Sequence, residues 1–106
     1  MGIFDDRKRG FEEKFKWEQE FLFKVTARRN RLFGQWAAGG LGLSGTEAEE
    51  YTKSVLFADL QEAGDEDILG KVEQDLSAKS MIMTRAQLRA KLDEFANEAR
   101  AQIMGD

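Results

Sequence analysis

Two short motifs in this 106-residue chain have residue types and spacings that occur at ligand-binding sites. Residues 40–45 read Gly-Leu-Gly-Leu-Ser-Gly and match the G-x-G-x-x-G pattern. In dinucleotide-binding domains that pattern follows a strand, whereas here a helical segment precedes it, so we interpret it as a connection between helices. The N–H groups that open the next helix could still bind an anion or a nucleotide phosphate, and the candidate residues are Gly42, Gly45 and Thr46.

The second motif imitates the start of a calcium-binding loop. Residues 65–70 read Asp-Glu-Asp-Ile-Leu-Gly, with acids at loop positions 1 and 3 and glycine at position 6. Position 5 is Leu69 and position 12 is Leu76, so two required oxygen ligands are missing. We therefore predict no metal site here and interpret the acids as a first helical turn that complements the helix dipole.

Residue types needed for much of enzyme chemistry are missing. The chain contains no cysteine, histidine or proline. Disulfides, zinc sites built from cysteine and histidine, thiol nucleophiles and imidazole bases are therefore excluded. No pair of carboxylates lies within a converging set of polar residues either. We expect a protein that is not an enzyme and needs no cofactor.

Charge is divided unevenly along the chain. The net charge is −4, but residues 1–35 contain nine basic and six acidic residues, whereas residues 36–106 contain seven and fourteen. The one basic cluster, residues 28–31, is too small for a nucleic-acid surface, so no nucleic-acid partner is expected. No apolar run approaches the ~20 residues of a membrane span, and the first residues are not a signal peptide, so we expect a cytoplasmic protein.

Four helical segments account for nearly the whole chain. Capping-box spacings at Thr46/Glu49 and Thr84/Gln87 mark the starts of the second and fourth segments. We predict helices over residues 5–38, from 46 to a stop at 64, over 65–78 and over 84–104. Apolar residues recur at helical spacing in each segment, and no segment alternates with period two. The main apolar lines are Phe21, Val25, Leu32 and Trp36; Tyr51, Val55 and Ala58; Ile68, Leu69, Val72 and Leu76; and Leu88, Leu92, Phe95, Ala99 and Ile103.

This pattern predicts an all-α fold, a four-helix bundle of antiparallel neighbours with a mobile, partly disordered N-terminal arm. Arg28 falls on the same helical line as Val25 and Leu32. We expect its aliphatic stem to pack while its guanidinium reaches an acid on the second or third helix.

The first segment is longer than its partners can cover. It would measure about 50 Å against roughly 25, 20 and 30 Å for the other three. We therefore divide the chain into an arm, residues 1–18, which is disordered or a fraying helix when free, and a bundle, residues 19–106. Phe4, Phe11, Phe15 and Leu22 lie within about 20° of one helical line and could bind a partner. Folding back onto the bundle and self-association as a homodimeric coiled coil remain open alternatives.

Several blocks of this sequence resemble the zeta inhibitor subunits of F-type ATP synthases in alphaproteobacteria. The resemblance covers essentially the whole chain and keeps the order and spacing of the blocks. The matching stretches are residues 4–7 with Phe11, Glu12 and Phe15; residues 27–30 with Leu32, Gly34 and 36–38; residues 62–67; and residues 89–91 through to 101–103.

The resemblance implies a four-helix bundle whose N-terminal arm inserts into a catalytic alpha/beta-subunit interface of the ATPase head. The resemblance also implies that the arm contacts the central-stalk gamma subunit and blocks rotation in the direction of ATP hydrolysis. By position, the arm residues expected in the interface are Phe4, Arg7, Lys8, Phe11 and Phe15. It also implies a cytoplasmic protein held at the inner membrane through the synthase, with no membrane insertion of its own. We expect a monomer when free.

Two other functions remain as alternatives. One is a small helical regulatory bundle that binds nucleotides or anions through the loop from Gly39 to Thr46. The other is a homo-oligomeric structural protein. Removal of the first residues separates them: the inhibitor should lose inhibition with its bundle intact, the regulatory bundle should keep its ligand binding, and a homodimer held by the arm should dissociate.

Overall fold

The fold consists of four helices joined by short connections. A computed structural model describes the backbone of residues 2–59 and 64–105, and the side chains of residues 14, 16–59 and 64–105. The helices are α1 (Gly2–Gly40), α2 (Gly45–Asp59), α3 (Glu66–Ala78) and α4 (Arg85–Gly105). Across these described ranges no strand occurs, and the prediction of an all-α four-helix fold is confirmed.

The two predicted capping boxes have different outcomes. At α4 the N–H of Thr84 donates to Gln87 Oε1 at 2.9 Å, and the N–H of Gln87 donates to Thr84 Oγ1 at 3.1 Å, so this box is formed. At α2 the helix already begins at Gly45, and no hydrogen bond between described residues joins Thr46 to Glu49. The earlier start puts Thr46 inside the first turn, where its hydroxyl no longer occupies the capping position.

The end of α2 and the start of α3 can be compared with the predicted boundaries at residues 64 and 65. The described part of α2 ends at Asp59, before the stop expected at Gly64, and residues 60–63 lie outside the described residues. Gly64 has a φ of 102°, a left-handed value that glycine adopts without a Cβ clash. Asp65 then occupies the N-cap position of α3.

The helices occupy the corners of a square. α1 packs mainly against α2 and α4, and α3 packs against the same two helices from the opposite corner. The longest dimension of the molecule is 65 Å, against 25 and 21 Å for the other two. That length comes from α1, because its 39 residues correspond to about 58 Å of helix. No described helix is both long enough and apolar enough to cross a membrane.

The core lies between all four helices and confirms most of the predicted apolar lines. Phe33 is its largest fully buried side chain and packs edge-on against Phe95, with ring centroids 6.4 Å apart. The buried cluster consists of Phe33, Ala37, Val55, Ile68, Leu69, Val72, Leu76, Leu88 and Leu92.

On α1 the buried face is rotated about the helix axis, away from the predicted line of Leu32 and Trp36. Phe33 and Ala37 are fully buried, whereas Leu32 and Trp36 are half-buried. The reason is that α1 lies between two neighbours. At Gly34 it approaches α2 so closely that an added Cβ would lie 3.2 Å from Thr52 Cγ2.

Candidate partner-binding site

The exposed part of α1 lies where this helix extends past its neighbours. The side chains of Lys14 and residues 16–20 are all exposed, Phe21 is half-buried, and Val25 is 5% exposed. The bundle therefore begins to cover α1 at Phe21. The proposed division of the chain between residues 18 and 19 remains a prediction.

An aromatic pair marks this point on α1. The rings of Trp17 and Phe21 stack nearly parallel, with centroids 5.5 Å apart, yet Trp17 remains 63% exposed. Ile103 and Met104, at the end of α4, line the same hollow of about 460 Å³. The aromatic pair and the end of α4 thus form an apolar surface that water reaches.

Two further large apolar side chains on α1 are unburied. Leu22 is 58% exposed and Phe23 is 75% exposed. Leu22 belongs to the line of apolar residues predicted for the arm, and its own side chain is exposed. An isolated exposed leucine needs no explanation, but several large apolar residues on one short stretch are typical of a binding surface.

The arm residues predicted to bind a partner belong to α1 by position. Their side chains lie outside the described residues, so their contacts with a partner remain a prediction. These residues are Phe4, Arg7, Lys8, Phe11 and Phe15.

The glycine loop between α1 and α2 mainly closes the end of α1. The N–H groups of Leu41, Gly42 and Leu43 donate to carbonyls of the last turn of α1, at 2.9 to 3.1 Å. Gly42 and Gly45 have φ values of 78° and 57°, where glycine avoids strain. These amides are therefore occupied by the helix end.

One member of the predicted anion site lines a hollow. Gly45 lies on a hollow of about 390 Å³ together with Arg31, Lys53 and Glu49. Gly42 and Thr46 do not line it. Two cations and one carboxylate make a mixed environment for an anion, and binding there remains a prediction.

The acidic start of α3 forms a junction with two other helices. Arg29 of α1 donates to both Asp65 oxygens, at 2.9 and 3.4 Å, and Arg89 of α4 donates to Asp65 Oδ2 at 2.6 Å. Partial burial acts to raise the pKa of Asp65, but the hydrogen bonds from Arg89 and Arg29 outweigh it, so this pKa lies below its ordinary value. The motif that imitates a calcium loop therefore holds three helices together.

Asn30 extends this junction to α2. It is 3% exposed; its Nδ2 donates to Asp59 Oδ2 at 2.8 Å, and its Oδ1 accepts from Arg29 Nε at 3.0 Å. Sequence reasoning missed this role. The available signal was a polar residue between Val25 and Phe33, on the side of the helix that faces the bundle.

The prediction for Arg28 was wrong in its partner. Its guanidinium donates to Gln102 Oε1 on α4, at 3.0 Å, and its side chain is exposed. The neighbouring Arg29 is the residue that reaches an acid. The cause is the rotation of α1 about its axis relative to the prediction. The face that includes Phe33 is buried, so Arg29 lies in the interface and Arg28 lies outside it.

No cluster of three or more potential metal-ligating side chains was found among the residues that the structure describes. Within the described ranges, the side chains that donate to the Asp65 carboxylate are those of Arg29 and Arg89.

Comparison with known proteins identifies the family of this chain. A family model described as ATPase inhibitor subunit zeta matches residues 1–102. The chain therefore belongs to the family of ATPase inhibitor zeta subunits. A protein whose solution NMR structure is solved is 46% identical; the match covers 78% of this chain and 94% of that one, with a TM-score of 0.67. No curated protein matches the chain.

Proposed function

We propose that this chain inhibits ATP hydrolysis by the F-type ATP synthase by inserting residues 1–18 into a catalytic alpha/beta-subunit interface. Membership of the zeta family supports the inhibitor role and an interaction with the synthase. The finer proposal is the arm, its site in the head, and its contact with the gamma subunit. The protein acts as a regulatory subunit without catalysis of its own.

The observation that carries this proposal is the length of α1. It spans 39 residues, whereas the described parts of the three helices packed with it span 15, 13 and 21. Its first described side chains are exposed, and large apolar residues are among them. A helix that extends past its own bundle with an apolar line is suited to insertion into a groove of another protein.

Binding then divides between two parts of the chain. Phe4, Phe11 and Phe15 are proposed to anchor the arm along one line, and Arg7 and Lys8 to pair with acids of the interface. The bundle stays outside the interface and raises the local concentration of the arm. It would act as a monomer, on the cytoplasmic face of the inner membrane, where it would be held through the synthase.

Deletion of residues 1–16 tests the proposal. Purified cognate ATPase should hydrolyse ATP at its uninhibited rate in the presence of the truncated chain, because the inserting segment is gone. Circular dichroism should show that the helices of the bundle persist. Unchanged inhibition by a folded truncated chain would contradict the proposal, and unchanged nucleotide or anion binding with no effect on the ATPase would favour the regulatory bundle instead.

Single substitutions test the proposed contacts. Phe11→Ala and Phe15→Ala should each raise the concentration needed for half-maximal inhibition by about tenfold or more, as expected for buried aromatic anchors. Phe57→Ala is the control, because Phe57 is 63% exposed on α2 and lies outside the arm. Equal effects of all three would contradict the contact assignment. A dimer that dissociates on truncation would favour self-association.

A further inference from the structure

We propose that the outward face of α1 binds an acidic amphipathic helix of the ATPase head, and that this contact is separate from the arm. The inference rests on the proposed function and adds to it a surface of the bundle itself. Three hollows that share residues along α1 carry it.

The central hollow lies on the side of α1 that faces away from the bundle core. Its volume is about 570 Å³, with Leu56 of α2 on one side and Ile103 of α4 on the other. The α1 residues that line it are Phe23, Lys24, Ala27, Arg28 and Arg31. Two neighbouring helices therefore form its walls, and α1 forms its floor.

This hollow continues in both directions along α1. Phe23 and Lys24 also line a hollow of about 490 Å³ that reaches Lys16. Arg31 and Leu56 also line the hollow that reaches Gly39. The three together form one shallow groove, here called the α1 groove, about 35 Å long from Lys16 to Gly39.

The centre of the α1 groove is apolar. Phe23 is 75% exposed there, beside Ala27 and the half-buried Leu56 and Ile103. When a partner covers a phenylalanine that is exposed to water in the free protein, burial of the ring favours binding. Phe23 is therefore suited to be the anchor of this contact.

Basic side chains surround this apolar centre. Five cations line the α1 groove against two carboxylates, although the whole chain carries a net charge of −4. The cations are Lys16, Lys24, Arg28, Arg31 and Lys53, and the carboxylates are Glu20 and Glu49.

None of these five cations forms an ion pair with another described residue. Unpaired cations around an apolar strip complement a segment that carries both acids and apolar residues. The groove is concave and long enough for about six helical turns, which fits a helix better than a flat lipid surface.

The α1 groove continues directly from the arm. Both belong to the same helix, and the groove begins at Lys16, which lies in the last turn of the proposed arm, residues 1–18. A protein that holds the arm therefore presents its next surface to the groove. That continuity favours a helix of the same ATPase as the occupant.

Charge reversal in the full-length chain tests the groove. Lys24→Glu combined with Arg31→Glu should raise the half-maximal inhibitory concentration by about tenfold or more, with a larger shift at low salt. Maximal inhibition should stay unchanged because the arm is intact. The control is Lys79→Glu with Arg100→Glu, which makes the same charge change at exposed residues outside the groove. No shift, or an equal shift in the control, would overturn the proposal.

Cross-linking identifies the occupant, and the chain has no cysteine to interfere. Ala27→Cys carries a photoreactive maleimide, and Lys79→Cys is the control. With purified ATPase, the Ala27→Cys probe should label an acid-rich helical peptide of a head subunit, and the control should not. Labelling of no subunit, or of a peptide without acids, would overturn the proposal.

A vesicle assay distinguishes a protein partner of the α1 groove from a membrane surface. If the Lys24→Glu, Arg31→Glu pair weakens binding to phosphatidylglycerol vesicles but leaves the inhibition midpoint unchanged, the groove binds lipid and the proposal fails. The arm is judged by a different readout. Deletion of residues 1–16 removes maximal inhibition if the arm is the inhibitor, whereas the groove is judged by the midpoint and the cross-link, so either can fail alone.

Discussion

Two stretches of the same helix differ in almost every physical property. Residues 25–38 of α1 include side chains buried among the other three helices, such as Phe33 and Ala37. In residues 14–24, by contrast, every described side chain is exposed or only half-buried, and Trp17 and Phe23 are more than half exposed. One stretch stabilises the bundle, and the other has apolar surface left for a partner. Substitutions of the buried residues of 25–38 should therefore change stability, whereas substitutions of exposed residues on α1 should change inhibition.

The cations of the molecule are divided in the same way. Arg29 and Arg89 bind Asp65, and Arg85 spans Glu66 and Glu73 on α3. Lys24 and Arg31 have no such partner among the described residues. Ion pairs thus join α3 to α1 and α4, and the outer face of α1 keeps its charges available.

The largest expected effect on stability is at Phe33. Phe33→Ala should lower the free energy of unfolding by about 3–5 kcal/mol, because it leaves a cavity beside Phe95 that the helices fill only in part. Urea denaturation followed by circular dichroism measures it. Phe23→Ala is the matched control and should change the unfolding free energy by less than about 0.5 kcal/mol. Equal losses would contradict the division of α1.

Asp65 should have the next largest effect. Asp65→Asn removes the charge that both arginines bind and should lower the free energy of unfolding by about 1–3 kcal/mol at pH 7. Most of this should come from Arg29, since Arg89 is largely solvated and its ion pair contributes little. Urea denaturation of the wild type and of Asp65→Asn gives the difference in their free energies of unfolding.

The same substitution has a defined pH dependence. The folded pKa of Asp65 lies below its ordinary value of 3.8, so its contribution to stability is complete above about that pH and is lost as the pH falls through the folded pKa. The gap in stability between wild type and Asp65→Asn should therefore be constant near neutrality and narrow below about pH 4. A gap that widened in acid would contradict the role of Asp65 as a charged partner of Arg29.

Much of this fold could be predicted from the sequence. Thr84 and Gln87 mark the start of α4, and Leu88, Leu92 and Ala99 are buried as their spacing predicts. These features are local, because they depend on residues within a few turns of one helix.

Contacts between helices could not be predicted in this way. Whether Arg28 or Arg29 reaches an acid depends on the rotation of α1, which is set by its approach to both α2 and α4. The pairing of Arg29 with Asp65 joins residues 36 positions apart. Periodicity within a segment carries no information on such a pair, although the blocks around both residues contributed to the family resemblance.

Gly34 tests the close contact between α1 and α2. Gly34→Ala should lower the free energy of unfolding by about 1 kcal/mol, because the clash with Thr52 exceeds the gain in helix propensity. Gly39→Ala is the control: nothing lies within 4 Å of its added Cβ, so it should stabilise the helix by about 0.5–1 kcal/mol. Thermal unfolding of both variants measures the difference. Stabilisation by both substitutions would show that α1 and α2 can move apart at Gly34 without loss of stability.

The smallest expected effect on stability is at Arg28. Arg28→Ala removes only an exposed hydrogen bond to Gln102 and should change the free energy of unfolding by less than about 0.5 kcal/mol. Arg29→Ala is the matched control one residue away, and it should cost about 1–2 kcal/mol because Asp65 and Asn30 both lose a partner. Chemical denaturation of the two variants and the wild type measures both losses in the free energy of unfolding. If Arg28→Ala proved the more destabilising, the rotation of α1 that turns Arg29 inward and leaves Arg28 in the α1 groove would be wrong.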